Sequence, residues 1–270
     1  MDRTVDQDGN ELTVTSSEIE PGIARITLNR PHKRNALDQP ARQAFLKALD
    51  ATREARVVVL DGAGGTFCSG MDLTQVVGGR LEDEEELNAS WLEVQETIRR
   101  HPAIVIASVR GYALGGGSTL INVCDLAVVA DDAQIGLPEI GFGFYPGLAG
   151  PALQLRLPPK RAAWMILTAK RIDGTTAVEW GMANVAVPDG DVDAESVALA
   201  RHIAQFDAAA LTWTKKALWH IPMVVSEWRA ALEFGAYANA QIHARTDAHR
   251  SGLKNFVEGR PNPGQGADGG

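Results

Sequence analysis

The chain reads as an α/β protein with parallel strands joined by right-handed helical crossovers. Two observations predict this, and a third divides the chain. Short, continuous apolar runs recur at Val57–Leu60, Ile104–Ala107 and Leu126–Ala130, as expected for strands buried on both faces. Amphipathic helical patterns alternate with them, which implies strand–helix–strand units. From about Ala194 onward the pattern becomes almost entirely helical, a composition shift that suggests a subdomain boundary.

Taken in order, Leu12–Thr15 and Ile23–Leu28 read as strands around the turn Glu20-Pro21-Gly22. Asp38 is suited to N-cap a helix from Gln39 to about Glu54, with Pro40 in its first turn. Leu87–Arg100 suits a second helix, and the acidic run Glu82–Glu86 reads as its solvated start. A short helix is expected over Thr119–Val123, and further helices over Lys160–Ala169 and Thr176–Gly181. Pro222 marks an expected break in the helical tail. The divisions that follow are a core over 1–195, a helical region over 196–260 and a frayed, Gly-rich end over 261–270.

Composition narrows the function classes. A chain of 270 residues can build a substantial core, and 45% hydrophobic with 22% charged residues is ordinary for a soluble globular protein. The formal charge of −8 argues against a general nucleic-acid surface. Two cysteines, Cys68 and Cys124, make no disulfide framework, so a reducing cytoplasm is the expected setting. Both read as small buried hydrophobes rather than nucleophiles. No apolar stretch reaches the length of a membrane helix, and the first residues are polar and acidic.

Several chemistries lack their residues. His101, His202, His220, His243 and His249 are scattered without the spacing of a metal site and are expected on the surface or satisfied in the core, so no metal is expected. No G-x-S-x-G elbow is present. Asp61-Gly62-Ala63-Gly64-Gly65 follows a strand without the Lys of a P-loop, and Gly111–Gly117 is not a dinucleotide fingerprint. What remains is two glycine turns after two buried strands: Thr66–Leu73 and the Gly115-Gly116-Gly117 triplet. Backbone N–H groups from two such turns could converge on one oxygen, and each donor in a dry site supplies a few kcal/mol of transition-state stabilisation. Glu139, twenty residues after Thr119, is a candidate base beside them.

The chain resembles the enoyl-CoA hydratase/isomerase (crotonase) superfamily over nearly its whole length. The resemblance rests on Leu28-Asn29-Arg30-Pro31 with Asn35-Ala36-Leu37, the Phe67–Leu73 and Gly111–Gly117 turns, and Cys124-Asp125-Leu126. It continues through Gly136–Ile140, Phe144-Tyr145-Pro146-Gly147, Thr168-Ala169-Lys170, Glu179-Trp180-Gly181 and Phe256–Arg260. It implies a spiral of ββα repeats that binds acyl-CoA thioesters, with coenzyme A as part of the substrate and no other cofactor. It also implies a C-terminal helical region that supports homotrimers, often paired into hexamers. The implied oxyanion donors are the N–H groups of Met71 and Gly116. The implied acyl-CoA contacts are Arg34, Ser69, Gly70, Asp72, Leu73 and Gly115, with Trp91 and Tyr145 as candidates for the acyl pocket; core packing is the alternative role for both.

Two departures matter. Hydratases of the family use two glutamates, but the first of those positions holds Thr119 and only Glu139 is retained. A hydroxyl is a poor base at neutral pH, so Thr119 is either a substrate or water contact or a helix-start hydroxyl. A single carboxylate suits double-bond isomerisation most simply. Hydration, hydratase–lyase cleavage, decarboxylation, hydrolysis, or a weakly catalytic CoA-ester-binding role are the alternatives. The tail carries Gly259 where many members have a lysine that reaches a neighbouring CoA phosphate, leaving Lys254 or Arg260 as substitutes.

Overall fold

The computed structural model describes residues 12–72, 81–260 and 264. Leu73, the implied CoA contact, and all of the expected frayed end except Gly264 lie outside the described residues. Six strands form the main sheet in the order β1 (Val14–Glu20), β2 (Ile23–Leu28), β3 (Val57–Gly62), β4 (Ile104–Val109), β6 (Leu126–Ala130) and β8 (Val185–Val187). Every pairing is parallel except the β1–β2 hairpin. The three apolar runs are its central strands, and β4 is buried at all six positions. From Thr15 to Glu18, β1 alternates between partly buried and exposed residues, as suits an edge strand with water on one side. It therefore runs on through the polar Ser16-Ser17-Glu18 to Glu20 rather than stopping at Thr15.

A second, smaller layer gives the fold its repeat. Cys68 bridges Ala113 in parallel, and β5 (Tyr112–Leu114) pairs with β7 (Gln134–Gly136). Ile135 in turn bridges Ile172. Each pass of the chain thus lays one strand in the main sheet, one short extended piece in this layer and then a helix. The outcome is the expected spiral of ββα turns.

Helices begin where local chemistry allows. Asp38 caps α1 (Gln39–Ala51) by accepting the Ala41 N–H at 2.9 Å. α2 (Leu81–Arg100) starts six residues before Leu87, with the acidic run inside it. α3 (Gly116–Val123) starts at the second glycine of the triplet rather than at Thr119. α4 (Gly150–Gln154), α5 (Pro159–Thr168) and α6 (Gly174–Trp180) follow. α7 (Val192–Ala204) runs across the expected division at 195/196 and packs against β3, β4 and β6. α8 (Ala208–Val224) contains Pro222 without breaking there, and the chain turns only at Val225, before α9 (Trp228–His243) and α10 (Ala248–Val257).

One buried ion pair fastens the helical region to the core. Lys215 of α8 is 2% exposed, and its ammonium pairs with Asp125 at 2.7 Å while donating to the Ile98 and Ala103 carbonyls at 3.0 and 2.9 Å. Asp125 also accepts from the Val105 N–H and the Trp219 indole. The guanidinium groups of Arg99 and Arg156 lie over the same indole, 4.4 and 4.0 Å from its centroid. Every donor of the ammonium has an acceptor, which offsets the cost of removing it from water. Removing the ammonium in Lys215→Ala strands Asp125 in the interior and is expected to cost about 3–5 kcal/mol of stability in denaturant titration. A loss below about 1 kcal/mol would show that the pair contributes no more than an exposed one.

Candidate active site

The site forms where the two glycine turns touch. The first turn is set by Asn35, which is fully buried and left-handed at φ 56°. Its side chain accepts the Arg30 N–H and donates to the Ala63 and Thr66 carbonyls. The guanidinium of Arg30 pairs with Asp38 at 2.7 Å and Asp72 at 3.4 Å. This network explains the Asn29-Arg30-Pro31…Asn35 pattern as scaffold. It also places Asp72, 9% exposed, in an ion pair beneath the turn.

Gly70 carries φ +93°, and a Cβ there would lie 2.7 Å from the Leu114 carbonyl and 2.9 Å from the Gly116 nitrogen. Only glycine allows that approach. A Cβ at Gly117 would fall inside the Cys68 carbonyl, so the turns are in backbone contact along their length. The register is held by Leu114 N–H to the Cys68 carbonyl at 3.0 Å and Leu37 N–H to the Gly70 carbonyl at 2.8 Å. Among the described residues no acceptor takes the N–H groups of Met71 or Gly116. Gly116 opens α3, whose dipole adds partial positive charge there.

Glu139 enters from a third segment, the 3-10 turn Glu139–Phe142 after β7. A Cβ on Gly115 would stand 2.8 Å from its Oε1, so the carboxylate lies against the triplet. Its Oε2 is buried with no hydrogen-bond partner. Burial raises its pKa above the ordinary 4.5, opposed only by its own backbone N–H. A half-buried carboxylate with a free oxygen and a raised pKa is suited to accept and return a proton.

The remaining candidates fall around this point. Trp91 is 1% exposed and packs its ring edge where a Cβ on Gly116 would sit, 2.6 Å from Cζ2. Thr119 is wholly buried and its hydroxyl donates to the Gly115 carbonyl at 3.3 Å. Ser69 donates to the Lys33 carbonyl. Arg34 is exposed, with its guanidinium 5.4 Å from the Tyr112 centroid. Arg171 lies over the same ring at 5.2 Å, and sequence reasoning missed it because only folding brings residues 34, 112 and 171 together. Tyr145 is 56% exposed in the single chain, and its hydroxyl donates to Gln154.

Burial raises the Cys68 thiol to about 12 and also raises Cys124, so neither is a thiolate at neutral pH. Buried His101 holds the Leu49 carbonyl at 2.8 Å and the Ala103 N–H at 3.2 Å, and burial lowers its pKa. Among the described residues no cluster of three His, Cys, Asp or Glu is placed to hold a metal. None of their helices is long and apolar enough to cross a membrane.

The contact between the turns gives a direct test. Gly70→Ala must force the two backbones apart and adopt a left-handed φ, and a loss of about 2 kcal/mol or more is expected in thermal or denaturant unfolding. A neutral result would show that the turns are not in contact.

Comparison with known proteins identifies the family. The family profile of enoyl-CoA hydratase/isomerase matches residues 18–265. A hydroxycinnamoyl-CoA hydratase-lyase of Pseudomonas fluorescens is 29% identical over 250 residues, covering 89% of this chain and 91% of the relative. The crystal structure of an enoyl-CoA hydratase from Mycobacterium smegmatis superposes with a TM-score of 0.88 at 29% identity, covering 93% of this chain and 98% of the other. That of an enoyl-CoA hydratase from Bacillus anthracis gives 0.87 at 27% identity, covering 96% and 100%. The chain belongs to the enoyl-CoA hydratase/isomerase family.

Proposed function

We propose that this acyl-CoA enzyme holds a thioester oxygen between the Met71 and Gly116 N–H groups and moves protons with Glu139 alone, most simply to shift a carbon–carbon double bond. The observation that carries this is the meeting of three segments, with Gly70 on the Gly116 nitrogen and the Glu139 carboxylate against Gly115. Glu139 takes a proton from C2 of a 3-enoyl thioester, and the negative charge spreads onto the thioester oxygen. The dienolate is stabilised there by the two donors, each worth about 3 kcal/mol in a water-poor site. The same carboxyl then returns the proton at C4, so the enzyme ends as it began. Thr119, at the first of the two family glutamate positions, offers no second base. The exposed pair Arg34 and Arg171 around Tyr112 suits the CoA phosphates, with Ser69 alongside.

Hydration followed by carbon–carbon cleavage is the second reading, favoured by the similarity to the hydratase-lyase. For assembly we propose a homotrimer or a pair of trimers. Trp228, Leu232, Phe256 and Val257 on α9 and α10 are 60–83% exposed in the single chain, an apolar surface that association would cover. Two buried thiols and no membrane-crossing helix among the described residues suit a cytoplasmic setting.

Purified protein assayed on 3-enoyl, 2-enoyl and hydroxycinnamoyl thioesters separates the readings. The expected result is isomerisation of the 3-enoyl substrate, with kcat reduced by about 10³-fold or more in Glu139→Gln. Undiminished turnover in that variant sinks the assignment of the base. The activity should also fall on the acid side with a midpoint above 4.5, because the raised pKa protonates the base before an ordinary glutamate would be protonated. Stability runs the other way. The native carboxyl prefers its neutral form, so its contribution is present below the unfolded pKa and is lost as pH rises through the native one. Glu139→Gln is therefore expected to melt higher than the parent at neutral pH, with the difference closing in acid.

A further inference from the structure

We infer that Thr119 is a positioning residue that aims and polarises the Gly116 N–H through the peptide plane Gly116 shares with the Gly115 carbonyl. The inference rests on the proposed oxyanion hole and assigns a role to the residue at the first of the family's two glutamate positions.

The argument starts from planarity. The Gly115 carbonyl and the Gly116 N–H belong to one peptide unit and point in opposite directions across it. Whatever fixes the carbonyl therefore fixes the direction of the N–H. The Gly115 carbonyl receives two donors, both from Thr119: the backbone N–H at 3.1 Å and the hydroxyl at 3.3 Å. The backbone bond is ordinary helix bonding, and the hydroxyl is the addition.

The hydroxyl adds a further restraint to a peptide whose first residue brings no side chain to limit its rotation. Gly115 sits at φ 53°, ψ −116°, a conformation open only to glycine, so no side chain of its own limits the plane. On one side the Gly115 N–H is tied to the Gly136 carbonyl at 2.9 Å. On the other, Trp91 closes the space at Gly116. Thr119 holds the carbonyl between these two restraints. Donation to a carbonyl also draws electron density along the amide, which makes the N–H at its other end a stronger donor. Thr119 itself is 0% exposed, so it works through the peptide rather than by touching the acyl group.

Removing the hydroxyl leaves the Gly115 carbonyl with its backbone partner, so Thr119→Val and Thr119→Ala lose the second donor without orphaning the acceptor. The readout is the absorption of bound p-dimethylaminocinnamoyl-CoA, a push–pull chromophore whose maximum moves to longer wavelength as its carbonyl is polarised. The expected result is a clear red shift with the parent protein, a smaller one with Thr119→Val and Thr119→Ala, and recovery with Thr119→Ser. In parallel, kcat on whichever enoyl thioester is turned over should fall about 10-fold in the Val variant, with KM within about twofold and Ser within about threefold of the parent. Melting curves confirm that each variant is folded. An equal red shift in the parent and both hydroxyl-free variants overturns the inference while leaving the oxyanion hole intact. A parent protein that binds the chromophore with no red shift overturns the hole, and the inference with it.

Discussion

Backbone contact between the Gly70 turn and the glycine triplet is the constraint on which the site depends. An oxygen can be held by two N–H groups from different strands only if the turns that carry them come closer than any side chain permits. Glycine at 70 and 117 removes the Cβ atoms that would stand between the turns, and the Leu114–Cys68 hydrogen bond locks the resulting register. The spiral supplies the rest, because each ββα turn stacks its short second-layer strand on the previous one. Neighbouring turns are thereby brought to the same edge.

The electrostatics follow from that packing. Closing backbone on backbone expels water, and a donor in such a place gains strength because nothing competes for it. The same exclusion explains the discomfort of Glu139, which is half-buried beside the triplet with one oxygen unpartnered. A carboxylate whose pKa is raised by burial is a stronger base than one in water, which is what the proposed role requires. Elsewhere the protein treats buried charge differently. The Lys215–Asp125 pair is saturated with partners, and its role is to hold α8 against the sheet. One group is left short of partners and the other is given all of them, the difference expected between the proposed base and a fastening residue.

Much of this was legible in the sequence, for identifiable reasons. The central strands announce themselves because burial on both faces requires unbroken apolar runs, and Asp38 and Pro40 mark the start of α1 through chemistry local to four residues. The glycine turns were legible because close approach has no other solution. Boundaries failed where tertiary packing overrode local signals. β1 extends through polar residues because its partner strand supplies the hydrogen bonds, and α8 continues past Pro222 for a further two residues. α3 begins three residues before Thr119 because its first residues, though glycines, are held by Cys68 and Trp91. Arg171 could not have been found, since its relation to Arg34 exists only through the shared ring of Tyr112.

Position 119 shows how a site can change chemistry without changing shape. The family resemblance puts a reacting glutamate at this position. A threonine has no carboxylate, and in this chain it turns its hydroxyl back onto the carbonyl of the first triplet glycine. The position thereby moves from the reacting groups to the frame that holds them. In the proposed reaction, proton transfer is left to a carboxylate on a different loop, Glu139, which lies against the N-cap residue of α3. Separating the two tasks leaves one base and one anion hole, a combination that favours reactions in which a proton leaves and returns on the same face of a single enolate. Hydration through the same site would need its water held by some group other than a second carboxylate.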